Sequence, residues 1–286
     1  MEKMTPEKIV LRYSKRGMDQ LEKYMIPGYC RRAAEKLLHT RRGTVLVTTG
    51  FYVGGYAETD GPLGTVAVAL ALEKLGFHPV IVTDQYCKGF FELKDLEVEY
   101  VPIGSGDDIY DEILTKYHPV YLISIERCGK DASRQYRNMR GISITEKTAG
   151  LDRLFELAEK KKIPTIGVGD GGNEIGMGNL QDMISRDLNI KPCVVPVDDL
   201  VIATTSNWGA YAIVAYLQIL SGEEVLVSFA EIEKYLREII AIGSVDGVTG
   251  KKEMRVDGFD MIIEKEILDS LAENSQNERN LLNYLK

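Results

Sequence analysis

The residues that could do chemistry lie beside clustered glycines. Six glycines fall within Gly167-Val168-Gly169-Asp170-Gly171-Gly172-Asn173-Glu174-Ile175-Gly176-Met177-Gly178. A glycine costs roughly 0.5–1 kcal/mol in a regular element, so such a run points to backbone approaching a ligand, or to a nest of N–H groups. Asp170, Asn173 and Glu174 add oxygen donors of the kind that Mg²⁺ or Mn²⁺ takes. Asp170 and Glu174 stand four apart, on one face if that stretch is helical. The plain alternative is a tight turn with a capping aspartate.

A second run, residues 50–64, holds five glycines with Glu58 and Asp60. It follows a β-branched stretch and leads into a helix, which is anion-site geometry. It lacks the Gly-Lys-Ser/Thr ending of a Walker A loop and is not G-x-G-x-x-G. Asp60 or Thr59 could equally serve as a helix N-cap. A third segment, Glu126-Arg127-Cys128-Gly129-Lys130-Asp131, continues to Tyr136-Arg137-Asn138-Met139-Arg140-Gly141. Its arginines could clasp a carboxylate at two points, although a solvated charged loop reads the same way. Cys128 has no histidine near it in sequence and is a poor nucleophile candidate. A fourth, Thr204-Thr205-Ser206-Asn207-Trp208-Gly209-Ala210-Tyr211, offers Ser206 and Asn207 as ligand groups or as a cap. In a fifth, Gly243-Ser244-Val245-Asp246-Gly247-Val248-Thr249-Gly250, Asp246 is a candidate acid or metal ligand, or part of a turn. His39, His78 and His118 read as structural or surface residues. With no G-x-S-x-G elbow, a Ser-His-Asp hydrolase is not supported.

The elements around these segments alternate. Strand-like runs are Thr44–Thr49, Pro79–Thr83, Val98–Pro102, Val120–Ser124, Thr165–Val168 and Leu200–Ala203. Helix-like runs are Pro62–Leu75, Asp107–Tyr117, Thr148–Lys162, Asn173–Leu188, Asn207–Leu220, Phe229–Ala241 and Met261–Asn274. This rhythm predicts a three-layer α/β/α fold with a mostly parallel, Rossmann-like sheet. Residues 1–40 read as a helical N-terminal arm broken at Pro27-Gly28, and 44–275 as the α/β core of a single domain spanning 1–286. Residues 275–279 read as a polar surface tail. In such sheets ligands bind at the carboxyl ends of the strands, where the first four segments fall.

The 286 residues carry a net charge of −8, which argues against nucleic acid or an anionic membrane as partner. No apolar run reaches the roughly 18 residues that span a bilayer, and the N-terminus has no signal-peptide core. Four widely spaced cysteines fit neither a zinc site nor a disulfide framework, so a cytoplasmic setting is expected. A small molecule is the expected partner, and a homo-oligomer is compatible with the chain.

Taken together, Glu58-Thr59-Asp60-Gly61-Pro62, Asn138-Met139-Arg140-Gly141, the 169–178 string, Ser206-Asn207-Trp208-Gly209-Ala210-Tyr211 and Asp246-Gly247-Val248-Thr249-Gly250 resemble the D-glutamate cyclase family. The resemblance covers about residues 45 to 260. It implies a lyase that closes D-glutamate into 5-oxo-D-proline with loss of water.

That reaction has requirements that can be set against the residues. The γ-carboxylate is a poor electrophile until a metal or a proton neutralises it. Asp170 and Glu174, joined by Asp246, would hold Mg²⁺ or Mn²⁺; no nucleotide or organic cofactor is expected. Glu58 or Asp60 would be the general base, with Asp170 and Glu126 as further catalytic carboxylates. Arg127 or Arg140 would bind the α-carboxylate. N–H groups at Gly171 and Gly172 would stabilise the oxyanion. Gly54, Gly55, Asn173, Ser206 and Asn207 would complete the substrate pocket. Two other readings stay open: a nucleotide- or sugar-phosphate-dependent metal enzyme, and a non-catalytic amino-acid-binding protein.

Overall fold

The computed structural model describes residues 4–188 and 190–284, with side chains as far as 281. Its centre is a six-stranded, all-parallel sheet. The strands are β1 (Thr44–Thr49), β2 (His78–Thr83), β3 (Glu97–Tyr100), β4 (Tyr121–Ile125), β5 (Thr165–Gly169) and β6 (Asp199–Ile202). Their spatial order is 3-2-1-4-5-6, the doubly wound order. The chain runs one way from β1 and the other way from β4, so these neighbours form the topological switch point, with a crevice at their carboxyl ends.

All the strands but the edge strand β3 are buried nearly throughout, because both faces of the sheet are covered. Helices α1 (Pro6–Val10), α2 (Met18–Leu21) and α3 (Tyr29–His39) precede the sheet; α4 (Pro62–Lys74) crosses from β1 to β2. Helices α5 (Asp108–Tyr117) and α6 (Asp152–Lys161) pack together. α6 links β4 to β5, in the opposite sense to α4, so right-handed crossovers put it on the other face. α7 (Gln181–Asp187) joins β5 to β6. α8 (Ser206–Ser221) follows β6 and is buried from Ser206 to Ile219. Being apolar all round, it needs cover on every side, and α3, α4 and α10 (Met261–Tyr284) supply it. α9 (Phe229–Ile242) opens with a Ser228–Glu231 capping box. α4 approaches α8 closely at Gly64, where a Cβ would lie 2.7 Å from that of Ala210.

Three expectations need correction. Residues 170–176 are not helical, because Glu174 pairs with Cys128 across an isolated bridge; helix resumes only with a 3₁₀ turn at Met177–Leu180. Residues 275–279 belong to α10, and Ser275 is buried. The N-terminal stretch is three short helices; Val10 and Arg12 bond through their carbonyls to Thr204, and α1 and α3 pack on α8. The histidines fall as expected: all three are exposed.

Candidate functional site

Two helix N-termini at the switch point are filled from within the protein. Thr205 caps α8 by accepting from Trp208 N, so neither Ser206 nor Asn207 is the cap. The next two amides, of Ser206 and Asn207, donate to Asp60 at 2.8 Å each, and Gly61 N donates to it at 3.0 Å. Asn207 in turn accepts at Oδ1 from Gly61 N (2.9 Å) and Gly64 N (2.7 Å), at the start of α4. The anion-site geometry expected after β1 therefore holds an amide oxygen, and the matching slot on α8 holds a carboxylate.

Above this lock sits a set of buried acids. Oxygens of Asp60, Glu126 and Asp170 all lie within 4.8 Å of one another. Glu126 accepts a 2.5 Å hydrogen bond from Ser206 Oγ at its Oε2. Glu58 lies beside Gly247, where a Cβ would come within 1.9 Å of Glu58 Oε2 and 2.9 Å of Asp257 Oδ1. Only glycine lets those two carboxylates meet that backbone. Glu126 and Asp257 have φ of 47° and 51°, a costly conformation for non-glycine residues that is concentrated at functional sites.

Their cation comes from the arm. Arg16 Nη1 contacts Asp170 Oδ1 and Oδ2 at 2.8 and 2.7 Å and Asp257 Oδ2 at 2.8 Å. The sequence reading missed both Arg16 and Asp257. Neither sits in a glycine cluster with a strand before it; the local signal is Gly17, beside Arg16, which has φ of 85° and starts α2. Burial pushes the carboxyls of Glu58, Asp60, Glu126 and Asp170 well above the usual range. Their mutual repulsion adds to this, and Arg16 opposes it at Glu58, Asp60 and Asp170. Burial disfavours the charge on Arg16, but Asp170 and then Asp257 more than offset this and keep it protonated.

A cavity of about 330 Å³ opens onto this set. Arg16, Glu58, Glu126, Gly54, Asn173 and Arg140 line it, with Phe51, Ile142 and Met139 as apolar wall. Arg140 sits on a turn held by Asn138, and its guanidinium has no partner among the described residues. Asn173 donates to Arg137 O at 2.7 Å, while its Oδ1 is buried without a partner.

Other expected site residues are placed elsewhere. Arg127 is 1% exposed and faces inward, donating to Asp84 (2.7 Å), Gly50 O (2.6 Å) and Ala149 O (2.7 Å). Gly171 and Gly172 donate their amides to Glu174 at 2.9 and 2.7 Å, so the expected oxyanion donors are already engaged. Asp246 accepts from Thr249 N and Gly258 N and shapes its own loop. Among the described residues the acids that converge closely enough to hold a metal ion are Asp60, Glu126 and Asp170; Glu174 and Asp246 are not in that group. Asp60, Ser206 and Asn207 lie beneath the cavity, and Gly55 does not line it. Burial raises the Cys128 thiol, leaving it protonated and unreactive.

The three converging acids offer only oxygen, which suits a hard divalent cation. Glu126 Oε1 has no hydrogen bond among the described residues, whereas both oxygens of Asp170 are on Arg16. A cation there would share Asp170 with that guanidinium.

The family model described as D-glutamate cyclase-like, C-terminal, matches residues 7–272. Human mitochondrial D-glutamate cyclase is 34% identical over 243 residues, which is 76% of this chain and 38% of that protein. The chain therefore spans about two fifths of that relative's length. Among solved structures, the Bordetella bronchiseptica enzyme WbmG in complex with NAD aligns with TM-score 0.32 and 15% identity, over 63% of this chain and 51% of that one. The UDP-GlcNAc 2-epimerase of Methanocaldococcus jannaschii aligns with TM-score 0.33 and 15% identity, over 71% and 54%. Likenesses this weak carry no functional argument. No helix among the described residues is long and apolar enough to cross a membrane.

Proposed function

The chain belongs to the D-glutamate cyclase-like family, and on that premise we propose that it closes D-glutamate into 5-oxo-D-proline with release of water. The observation that carries this is one cavity lined by two arginines and two buried glutamates whose carboxyls burial pushes above the usual range. The α-nitrogen bonds to the γ-carbon, a C–O bond breaks, and the nitrogen goes from three protons to one. The two protons it gives up leave with the departing oxygen as water, so no net proton is consumed. A site for this reaction needs groups that take protons at one atom and return them at another.

Glu58 fits the base better than Asp60. It lines the cavity, whereas Asp60 lies beneath it with three backbone amides donating to it. Burial makes Glu58 a stronger base than an exposed carboxylate. Glu126, steadied by Ser206, fits the acid that protonates the leaving oxygen. Arg140 fits the α-carboxylate, and Asn173 Oδ1 is an acceptor for the ammonium. If Mg²⁺ or Mn²⁺ binds, Asp60, Glu126 and Asp170 would hold it, and it would polarise the carboxylate as a Lewis acid. The phosphate-enzyme reading loses support, because the amides of Gly171 and Gly172 are engaged by Glu174. Four buried, free cysteines accord with a reducing compartment such as the cytoplasm.

The test is incubation with D- and L-glutamate, with and without Mn²⁺, followed by chiral chromatography of oxoproline. Product from the D enantiomer is expected. No product under any condition overturns the proposal, and glutamate binding without turnover would favour a sensor.

A further inference from the structure

We infer that Arg16, carried by the N-terminal arm, receives the substrate's γ-carboxylate, the one that loses its oxygen, while Arg140 takes the α-carboxylate. The inference rests on the cyclase reading and adds a residue and an orientation to it.

Only one corner of the Arg16 guanidinium is used. Nη1 makes every contact to Asp170 and Asp257. Nε and Nη2 have no partner among the described residues, although the side chain is only 26% exposed and lines the cavity. A guanidinium anchored at one nitrogen keeps an N–H edge free for a carboxylate, in the two-point geometry that arginine forms readily. Its anchors are rigid, with Asp170 and Asp257 buried. The arm is pinned too. Val10 O and Arg12 O accept from Thr204 N and Oγ1 at 2.9 and 2.6 Å, Arg12 Nη1 donates to Ser270 Oγ at 3.0 Å, and Lys15 Nζ lies 4.1 Å from the centre of the Phe259 ring.

Two guanidinium groups facing one cavity match a ligand with two carboxylates. Their surroundings assign the ends. Arg140 is exposed on a turn at the rim, beside apolar Met139 and Ile142. Arg16 is only 26% exposed and lines the cavity with the buried Glu126 and Glu58, where the cyclase reading places the reacting carbon. The γ-carboxylate therefore belongs at Arg16. There the guanidinium neutralises it for attack by the amine and stabilises the oxyanion as the N–C bond forms. Arg16 keeps its own proton throughout.

Arg16→Lys tests this, because it retains a cation for Asp170 and Asp257 but removes the free N–H edge. Calorimetry would compare D-glutamate with D-glutamine, whose γ-amide is neutral. Arg16→Lys is expected to weaken D-glutamate binding about ten-fold or more and to leave D-glutamine within about two-fold, whereas Arg140→Gln weakens both. Equal loss of both ligands in Arg16→Lys, or loss of neither, would overturn the inference. Wild type that binds D-glutamate and yields no oxoproline overturns the cyclase reading alone. Arg16 is then judged by glutarate against butyrate in the same proteins: only selective loss of glutarate sustains it. If Arg16→Lys does not fold, as judged by circular dichroism, Arg16→Gln gives the same comparison, with the same outcomes deciding.

Discussion

Asp60 and Asn207 cap each other's helices. Asp60, just before α4, accepts from the first amides of α8, and Asn207, on α8, accepts from the first amides of α4. Asn207 Nδ2 also donates to Thr59 O at 3.1 Å, so this side chain satisfies three backbone groups. Removing it leaves buried donors unpaired, each costing ~1–3 kcal/mol. Asn207→Ala should therefore lower unfolding free energy by about 2–4 kcal/mol, measured by urea denaturation. A loss too small to detect would mean that the helices hold their orientation without this lock.

Asp170→Asn tests the acid floor. The variant loses the charge that anchors Arg16 and, if a cation binds, one of its oxygen ligands. Oxoproline formation should fall about a hundred-fold or more while the far-ultraviolet spectrum stays that of the wild type. A variant with full activity would show that Asp170 is dispensable to the chemistry.

The two arginines that looked alike in sequence should behave differently. Arg127 and Asp84 are a fully buried pair, and removing one partner costs about 3–5 kcal/mol, so Arg127→Met should be grossly destabilised in thermal melts. Arg140→Gln should melt like the wild type and show a raised KM for glutamate. The reverse pattern would exchange their roles.

Glu264 supplies a pH signature of folding, separate from activity. It accepts from Trp208 Nε1 and Tyr211 OH, and burial pushes its carboxyl up from about 4.5 to about 7. Below pH 4.5 both folded and unfolded chains hold the proton. Between about 4.5 and 7 only the folded chain does, so stability falls as pH rises through that window, by about 3 kcal/mol. The buried site acids shift in the same direction, so the comparison must be with Glu264→Gln, which lacks this group. Its stability should fall less between pH 5 and pH 8 than that of the wild type. Parallel curves would remove Glu264 from the account.

The sheet was legible because its strands, the edge strand β3 apart, are short runs rich in apolar and β-branched residues. Thr44–Thr49 was read to the residue, and other strand ends lay within two residues. Glycines of two of the clusters, Gly54, Gly247 and Gly250, line the cavity, since glycine where backbone must approach closely leaves a compositional trace. Which side chains face the cavity left no such trace. Arg127 and Arg140 are both arginines in loops after a strand, and only the packing turns one inward to Asp84. Glu174 looked like a metal ligand, but its carboxylate is held by amides two and three residues back in its own loop. Arg16 lay outside every segment of interest, because its partners are distant in sequence.

That distance has a kinetic meaning. Arg16 and Asp170 stand 154 residues apart, and Asp257 joins them from still later in the chain. A molecule whose sheet has formed but whose first turns have not docked holds the acids without their guanidinium. It would pass for native by secondary structure and be silent in turnover. Recovery of activity on refolding should therefore lag the recovery of helix and strand signal, and the lag would time the docking of the arm.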